Sequence, residues 1–201
     1  MKKLLLLALV LIMAVVAFAD VVIGTGTSTQ YYPMSTYYNY YRSATLYTAA
    51  EINATGTITN LKWYCGTANT TTSFPIKIYL KQTSLTVLTT DTWANYSTDA
   101  TEVFNSTLAI NATGWFNFDI TDFAYNGTDN LMVLVESGSA AFVSPYVNWR
   151  YTTTATNMFA RTQNDGAAGT SLTASLYRPN ITFVGISPAI AILTIDPVSI
   201  A

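Results

Sequence analysis

Apolar and polar residues alternate with a period of two along most of the chain after residue 20. In "FPIKIYLKQT" (74–83), the two isoleucines and Leu80 share one parity, while the two lysines and Tyr79 share the other. This pattern is typical of a β-strand with one face in a core and the other in water. The segment "NLMVLVES" (130–137) is apolar on both faces, which predicts a strand in the middle of a sheet.

Other segments with strand character follow one another along the chain and are separated by polar turns. They read "GTITNLKWYCG", "TEVFNSTLAI", "GWFNFDI", "YVNWRYT", "NMFARTQ" and "RPNITFV". No stretch shows a convincing helical period. Many short strands without helical crossovers predict an all-β fold, an antiparallel β-sandwich of about 8–10 strands with a jelly-roll-like topology.

The first nineteen residues have the pattern of a secretory signal peptide. Lys2 and Lys3 precede an unbroken apolar run at residues 4–16, and Ala-Phe-Ala at 17–19 supplies the small residues that a signal peptidase requires. We expect cleavage before Asp20, because the apolar run is short for a membrane span. The mature protein is therefore predicted to be secreted or held at the cell surface, without a membrane association.

The sequence predicts a sandwich domain at residues 20–185 and a tail at residues 186–201. Gly185 and Pro188 separate the last strand of the domain from a further alternating segment. Three alternatives fit this tail: it pairs with an edge of its own domain, opens a following domain, or adds to a sheet edge of a like subunit or neighbouring domain. The assembly candidates are the large apolar residues of the tail, Leu193, Ile195, Val198 and Ile200.

The charge of the chain excludes one class of partner. Removing Lys2 and Lys3 leaves seven basic and eleven acidic residues, a net charge of −4. Binding to nucleic acid needs clustered Lys and Arg that neutralise phosphates, and the sequence has no such cluster. We therefore expect no nucleic-acid partner.

The inventory of reactive side chains argues against an enzyme. The sequence has no histidine and one cysteine, Cys65, so it lacks His-based catalytic arrangements and an internal disulfide. Cys65 is predicted to be a small buried strand residue. We expect no cofactor; calcium is a weak alternative, at the carboxylates of Asp119, Asp122 and Asp129.

The segment "YYPMSTYYNYYRSATLY" (31–47) contains seven tyrosines. Each Tyr-Tyr doublet in an extended chain places one ring inward and one outward. Two alternatives follow: an aromatic lid that only closes the open end of the sandwich, or such a lid with an outer row of rings left exposed for contacts. Together with two tryptophans these rings are the candidate ligand contacts: Tyr31, Tyr32, Tyr37, Tyr38, Tyr40, Tyr41, Trp93 and Trp149.

Acceptor triplets for N-glycosylation are about twice as frequent as the amino-acid composition alone gives. Several fall in predicted turns, where an attached sugar would be solvated. A Thr- and Asn-rich β-protein also produces such triplets incidentally. The candidates are Asn53, Asn69, Asn95, Asn105, Asn111, Asn126 and Asn180.

Most of the span from residue 22 to 184 resembles a recurrent β-sandwich module of secreted, multidomain bacterial surface proteins. The resemblance rests on "LYTAAEI", "GTDNLMVLVE" and "YRPNI", which occur in that order. In that family the module lies behind the signal peptide, and immunoglobulin-like or fibronectin-type domains often follow it. The resemblance implies a non-catalytic, carbohydrate-binding-like module and supplies no catalytic motif.

These observations favour a secreted, non-catalytic β-sandwich with a structural or adhesive role at the cell surface. In this interpretation the protein joins like subunits or neighbouring domains through its C-terminal strand. The alternative is a carbohydrate-binding module of a larger secreted protein, with glycans as ligands.

Overall fold

The alternating segments of the sequence form strands throughout the computed structural model, which describes residues 20–138 and 142–188. Ten of its fourteen strands contain five or more residues, and four contain two or three. The strands are β1 (Val21–Ile23), β2 (Thr29–Gln30), β3 (Tyr40–Tyr47), β4 (Ala54–Thr67), β5 (Phe74–Thr83), β6 (Asp91–Thr92), β7 (Thr101–Leu108), β8 (Gly114–Tyr125), β9 (Asn130–Ser137), β10 (Asn148–Thr153), β11 (Phe159–Asn164), β12 (Ser171–Ser175), β13 (Tyr177–Pro179) and β14 (Ile181–Pro188). The helices are α1 (Ala49–Ile52) and α2 (Trp93–Ser97).

The strands pair in two antiparallel sheets of seven. The first sheet has the order β1-β14-β4-β10-β13, with β2 paired to β10 and β8 paired to β4. The second sheet has the order β6-β12-β11-β3-β9-β5-β7. The chain passes from one sheet to the other at most connections, as it does in Greek-key sandwiches. The predicted all-β antiparallel sandwich is confirmed, and β9 lies inside its sheet as its two apolar faces predicted.

The main core lies between the sheets and follows the predicted parities. Ile78 and Leu80 of β5 are fully buried, as is Phe118 of β8, whereas Trp115 of β8 points outward. Cys65 is also fully buried, and its Sγ donates to the carbonyl of Thr67 at 3.1 Å. Burial raises the pKa of this thiol to about 11, so it stays protonated and unreactive at neutral pH.

A second core covers part of the outer face of the second sheet. Leu46, Leu134 and Leu172 point away from the first sheet and pack beneath the segment 84–100, which contributes the ring of Tyr96. The sequence predicted a water-facing side for β5 and two apolar faces for β9. The second apolar face of β9 is covered in this area, because the connection between β5 and β7 folds back over it.

Helix α1 is fixed at the lower end of the sandwich, where β3 ends and β4 begins. Thr48 caps α1 through a capping box with Glu51. The carboxylate of Glu51 receives two hydrogen bonds from the buried guanidinium of Arg178, at 2.7 and 3.0 Å. The hydroxyl of Tyr47 donates to the carbonyl of Pro179 at 2.8 Å. Residues 46–52 and 177–181, which carry the family resemblance, therefore meet in a structural anchor.

Strand β14 continues beyond the predicted end of the domain at residue 185. Gly185 forms a bulge with φ of +94°, where a side chain would meet the carbonyl of Thr57 at 2.5 Å, and pairing with β4 resumes at Ile186 and ends at Pro188. The predicted signal peptide and the assembly candidates Leu193, Ile195, Val198 and Ile200 lie outside the described residues. Within residues 20–138 and 142–188, no helix has the length and apolarity needed to cross a bilayer.

Candidate functional site

The tyrosine-rich segment closes the upper end of the sandwich, where β3 begins and β4 ends. We call residues 31–39 the lid. In two doublets one ring is buried and the other half-buried: Tyr32 beside Tyr31, and Tyr41 beside Tyr40. The buried rings pack with Phe159 of β11. The predicted inward and outward alternation thus holds for these two doublets, while both rings of Tyr37-Tyr38 are half-buried.

Hydrogen bonds from the middle of the lid hold it against β10 and the preceding loop. The indole Nε1 of Trp149 donates to the carbonyl of Met34 at 2.6 Å. The hydroxyl of Ser35, which is a buried residue, donates to the carbonyl of Val147 at 2.7 Å. Buried polar groups paired in this way fix the backbone, so the rings at residues 37 and 38 project from a rigid support.

An open groove of about 630 Å³ lies beside the outer rings of the lid. It is lined by Tyr37, Tyr38, Asn39, Phe142 and Asp165. This volume falls in the range of about 300–1,000 Å³ that is common for ligand clefts. The lining combines three aromatic rings with one carboxylate and one amide, so both apolar and hydrogen-bonding ligand groups find partners there.

The rings at the groove meet at steep angles. The ring planes of Tyr37 and Phe142 lie at 83° with centroids 5.5 Å apart, and those of Tyr37 and Tyr38 lie at 66° with centroids 4.8 Å apart. Behind them, Tyr31 stacks parallel to Tyr37 at 4.9 Å, and Tyr146 meets Tyr37 edge to face. The groove is therefore an aromatic corner and not a flat row of coplanar rings.

Asp165 supplies the charge of the groove. Its Oδ1 accepts from the backbone N–H of Asn39 at 3.2 Å, and its carbonyl accepts from the Asn39 side chain at 2.9 Å. Burial raises the pKa of Tyr38, and the neighbouring rings of Tyr31 and Tyr37 and the carboxylate of Asp165 act in the same direction. The hydroxyl of Tyr38 therefore stays protonated at neutral pH.

Three of the predicted contact residues are corrected by the structure. Tyr32, Tyr41 and Trp149 are 5%, 2% and 0% exposed, because their rings form the inner layer of the lid and the core beneath it. Burial raises the pKa of Tyr32 to about 12, although the guanidinium of Arg161, 4.2 Å from the ring centre, acts against the rise. These side chains support the groove and do not face a ligand.

The other predicted contacts are divided among different places. Tyr37 and Tyr38 line the groove, and Tyr31 stacks behind it. Tyr40 is half-buried at the start of β3 and does not line the groove. Trp93 lies against the second core, with the guanidinium of Arg42 at 5.2 Å from its ring centre.

Sequence reasoning missed Asn39, Phe142 and Asp165. Phe142 is 59% exposed, the largest exposed fraction among the large hydrophobic residues described. An aromatic residue alone in a loop of small residues, "SGSAAFVSP", was the available signal for Phe142. Asp165 lies in "NDG", which reads as an ordinary turn and gave no signal.

The predicted glycosylation candidates differ in accessibility. Asn69 and Asn180 are buried, and their side-chain amides donate to the carbonyls of Pro145 and Gly26, so neither is open to a glycosyltransferase in the folded protein. The other candidates are exposed: Asn53, Asn95, Asn105, Asn111 and Asn126.

The weak calcium candidates do not form a site. Asp119 accepts a hydrogen bond from Asn60 on the outer face of the first sheet, and Asp129 accepts one from Asn126 in the turn before β9. Asp122 is exposed on β8. Among the residues that the structure describes, no three acidic, histidine or cysteine side chains are grouped so as to hold a metal ion.

No protein-family model matches the chain, and no curated protein matches it. Among solved structures, this chain is similar to the crystal structure of the cysteine protease and lectin-like domains of Cwp84, a surface layer associated protein of Clostridium difficile. The TM-score is 0.45 at 10% identity, and the match covers 76% of this chain and 33% of that chain. This chain thus spans about a third of that relative's length. A similarity this low establishes neither fold nor function, and the resemblance to surface modules stays a prediction.

Proposed function

We propose that the protein is a secreted, non-catalytic module that binds a saccharide in the lid groove and acts outside the cell. The observation that carries the proposal is the groove itself, in which exposed aromatic rings and hydrogen-bonding groups line one open cleft. Sugar rings present C–H faces that pack on aromatic rings and hydroxyl groups that need polar partners. The secretory pattern at residues 1–19 supports a location outside the cell.

The shape of the groove favours a short stretch of a soluble glycan over a crystalline polysaccharide surface. A flat crystalline face requires several coplanar rings, whereas the rings of Tyr37 and Phe142 meet at 83°. Such a corner accepts one or a few sugar units. Asn39 and Asp165 then provide amide and carboxylate partners for the hydroxyl groups.

A non-catalytic role is supported by the composition of the groove. Hydrolysis of a glycosidic bond commonly uses two carboxyl groups on either side of the bond. Within residues 20–138 and 142–188, Asp165 is the one carboxylate that lines the groove. The sequence also has no histidine to serve as a general base.

We expect Phe142→Ala to weaken saccharide binding about tenfold. The ring is 59% exposed in the free protein, and burying a large part of it under a ligand contributes about 1.4 kcal/mol or more. The purified protein is first screened against immobilised glycans, and affinities for the retained saccharides are then measured by calorimetry. Trp115→Ala is the matched control, since Trp115 is 44% exposed on the outer face of the first sheet. Equal losses in both variants, or no retention on any glycan, would reject the proposal.

Assembly through the C-terminal strand is the second candidate function. Strand β1 pairs only with residues 181–183 of β14, so the outer edge of residues 184–188 has no partner among the described strands. An open strand edge of this kind accepts an added strand. We propose that the tail of a like subunit, with its apolar residues at 193, 195, 198 and 200, occupies such an edge.

Deleting residues 189–201 tests this assembly. We expect the shortened protein to keep its thermal unfolding transition and to lose self-association in analytical ultracentrifugation, because the tail contributes to contacts between molecules and not to the core. Unfolding of the shortened protein would assign the tail to its own domain and reject the assembly. A full-length protein that remains monomeric at high concentration would reject it as well.

A further inference from the structure

We propose that the ligand of the lid groove carries a positively charged amine, and specifically that it is an amino saccharide with free ammonium groups, such as a β-linked glucosamine chain. This inference rests on the proposed function, because it specifies the saccharide that the same groove binds. Three features of the groove support it: its charge, the lack of a counter-ion, and an exposed aromatic ring in the same lining.

The charge of the groove is negative. Among the described residues that line it, Asp165 is the only one with a charged side chain, and none is a lysine or arginine. The face of an aromatic ring carries the negative side of its quadrupole, and the ring of Phe142 in this lining is 59% exposed. A cation gains from both contributions, whereas a carboxylated or sulfated sugar is repelled by Asp165.

The carboxylate of Asp165 has no cationic partner in the described part of the chain. The ion pairs found there join Arg42 to Glu136, Lys62 to Asp20 and Arg178 to Glu51. Arg161 is the basic residue whose charge acts on Tyr38, but its guanidinium stacks on the buried ring of Tyr32 and hydrogen-bonds to Gln163. Arg161 does not line the groove, so Asp165 remains open to a ligand cation.

An exposed aromatic ring lies in the same lining as Asp165. The rings of Tyr37 and Phe142 touch edge to face, with planes at 83° and centroids 5.5 Å apart, so an ammonium group in the groove meets the free surface of Phe142, which is 59% exposed. Aromatic residues around a cation, completed by a carboxylate, are a recurring arrangement for binding ammonium ligands. A neutral sugar can stack on this ring as well, but it gains nothing from the charge of Asp165.

Binding to three tetrasaccharides tests the inference: β-1,4-linked glucosamine, N-acetylglucosamine and glucose. We expect the glucosamine tetramer to bind about tenfold more tightly than the other two at mildly acidic pH and low salt. A cation–π contact and a charge-assisted hydrogen bond together are sufficient for this difference in affinity. The preference should shrink when salt is raised, because the carboxylate is exposed. Equal affinities for the three tetramers would overturn the inference that the ligand is positively charged and would leave the proposed function intact. Absence of binding to all three, and to every glycan of the screen, would overturn both.

Asp165→Asn identifies the carboxylate as the source of the preference. We expect this variant to lose the tenfold preference, so that it binds the three tetramers alike, because the amide removes the charge but retains an oxygen that accepts from Asn39. Asp119→Asn is the control, since Asp119 also accepts a hydrogen bond from an asparagine, Asn60, but on the outer face of the first sheet. A preference that survives Asp165→Asn, or that falls equally in Asp119→Asn, would overturn the assignment.

Discussion

Replacing Trp149 with alanine is expected to lower the free energy of unfolding by about 3–5 kcal/mol, the range for removing a large aromatic side chain from a core. The side chain is fully buried between the sheets, and it holds the lid through the 2.6 Å hydrogen bond to the carbonyl of Met34. Chemical denaturation followed by fluorescence or circular dichroism measures the change.

Two further variants separate the contributions of Trp149. Trp149→Phe keeps much of the packing but leaves the Met34 carbonyl without its donor, and we expect a loss of about 1–3 kcal/mol. Trp115→Ala removes an exposed ring, and its effect should stay within about 0.5 kcal/mol. If Trp149→Ala were as mild as Trp115→Ala, Trp149 would not be part of the core.

Replacing Glu51 with glutamine is expected to destabilise the protein by about 2–3 kcal/mol at neutral pH. The variant leaves the guanidinium of Arg178, whose side chain is 5% exposed, without its counter-charge. Removing one partner of a fully buried pair costs about 3–5 kcal/mol, and the 37% exposure of the Glu51 side chain reduces this value. The exposed Glu102→Gln on β7 serves as the control and should change little.

The effect of Glu51→Gln depends on pH in a defined direction. Burial opposes ionisation of Glu51, but hydrogen bonds from Arg178 and Thr48 outweigh it and lower its pKa from 4.5 to about 2. The stabilisation is therefore complete above the ordinary pKa and is lost as the pH falls from about 4.5 to about 2. Unfolding curves of wild type and variant should converge across this interval. A difference that stays constant down to pH 2 would contradict the ionised pair.

The strands were predictable because burial imposes a period of two on them. The segment 130–137 was predicted with the bounds that β9 has, and β5 likewise. Helix α1 was missed because four residues are too few to show a helical period. Its signal was the capping box Thr48-x-x-Glu51, which identifies a helix start without any periodicity.

The segments that carry the resemblance to surface-protein modules indicated structural contacts and did not indicate a binding site. Their conspicuous residues meet at the lower end, where Arg178 pairs with Glu51 and Tyr47 bonds to Pro179. The lid groove is at the opposite end of the sandwich. The residues that hold the sandwich together at its lower end are thus separate from the groove that we propose for binding.

The groove itself could be predicted only in part. The tyrosine doublets indicated a lid, and the alternation of rings followed from extended backbone. Phe142 and Asp165 come from the β9–β10 and β11–β12 connections, more than a hundred residues along the chain from Tyr37. Asp165 reaches the lid because β11 pairs with β3, and Phe142 follows β9, which also pairs with β3. No local pattern specifies either pairing.

A backbone amide spectrum of the isotope-labelled protein tests the central claim most directly. The protein is titrated in turn with the tetramers of glucosamine, N-acetylglucosamine and glucose. The saccharide-binding account predicts chemical-shift changes confined to residues 37–39, Phe142 and the turn around Asp165, largest with the glucosamine tetramer. Changes centred on the outer face of the first sheet around Tyr64 and Trp115, or no changes with any tetramer, would contradict it.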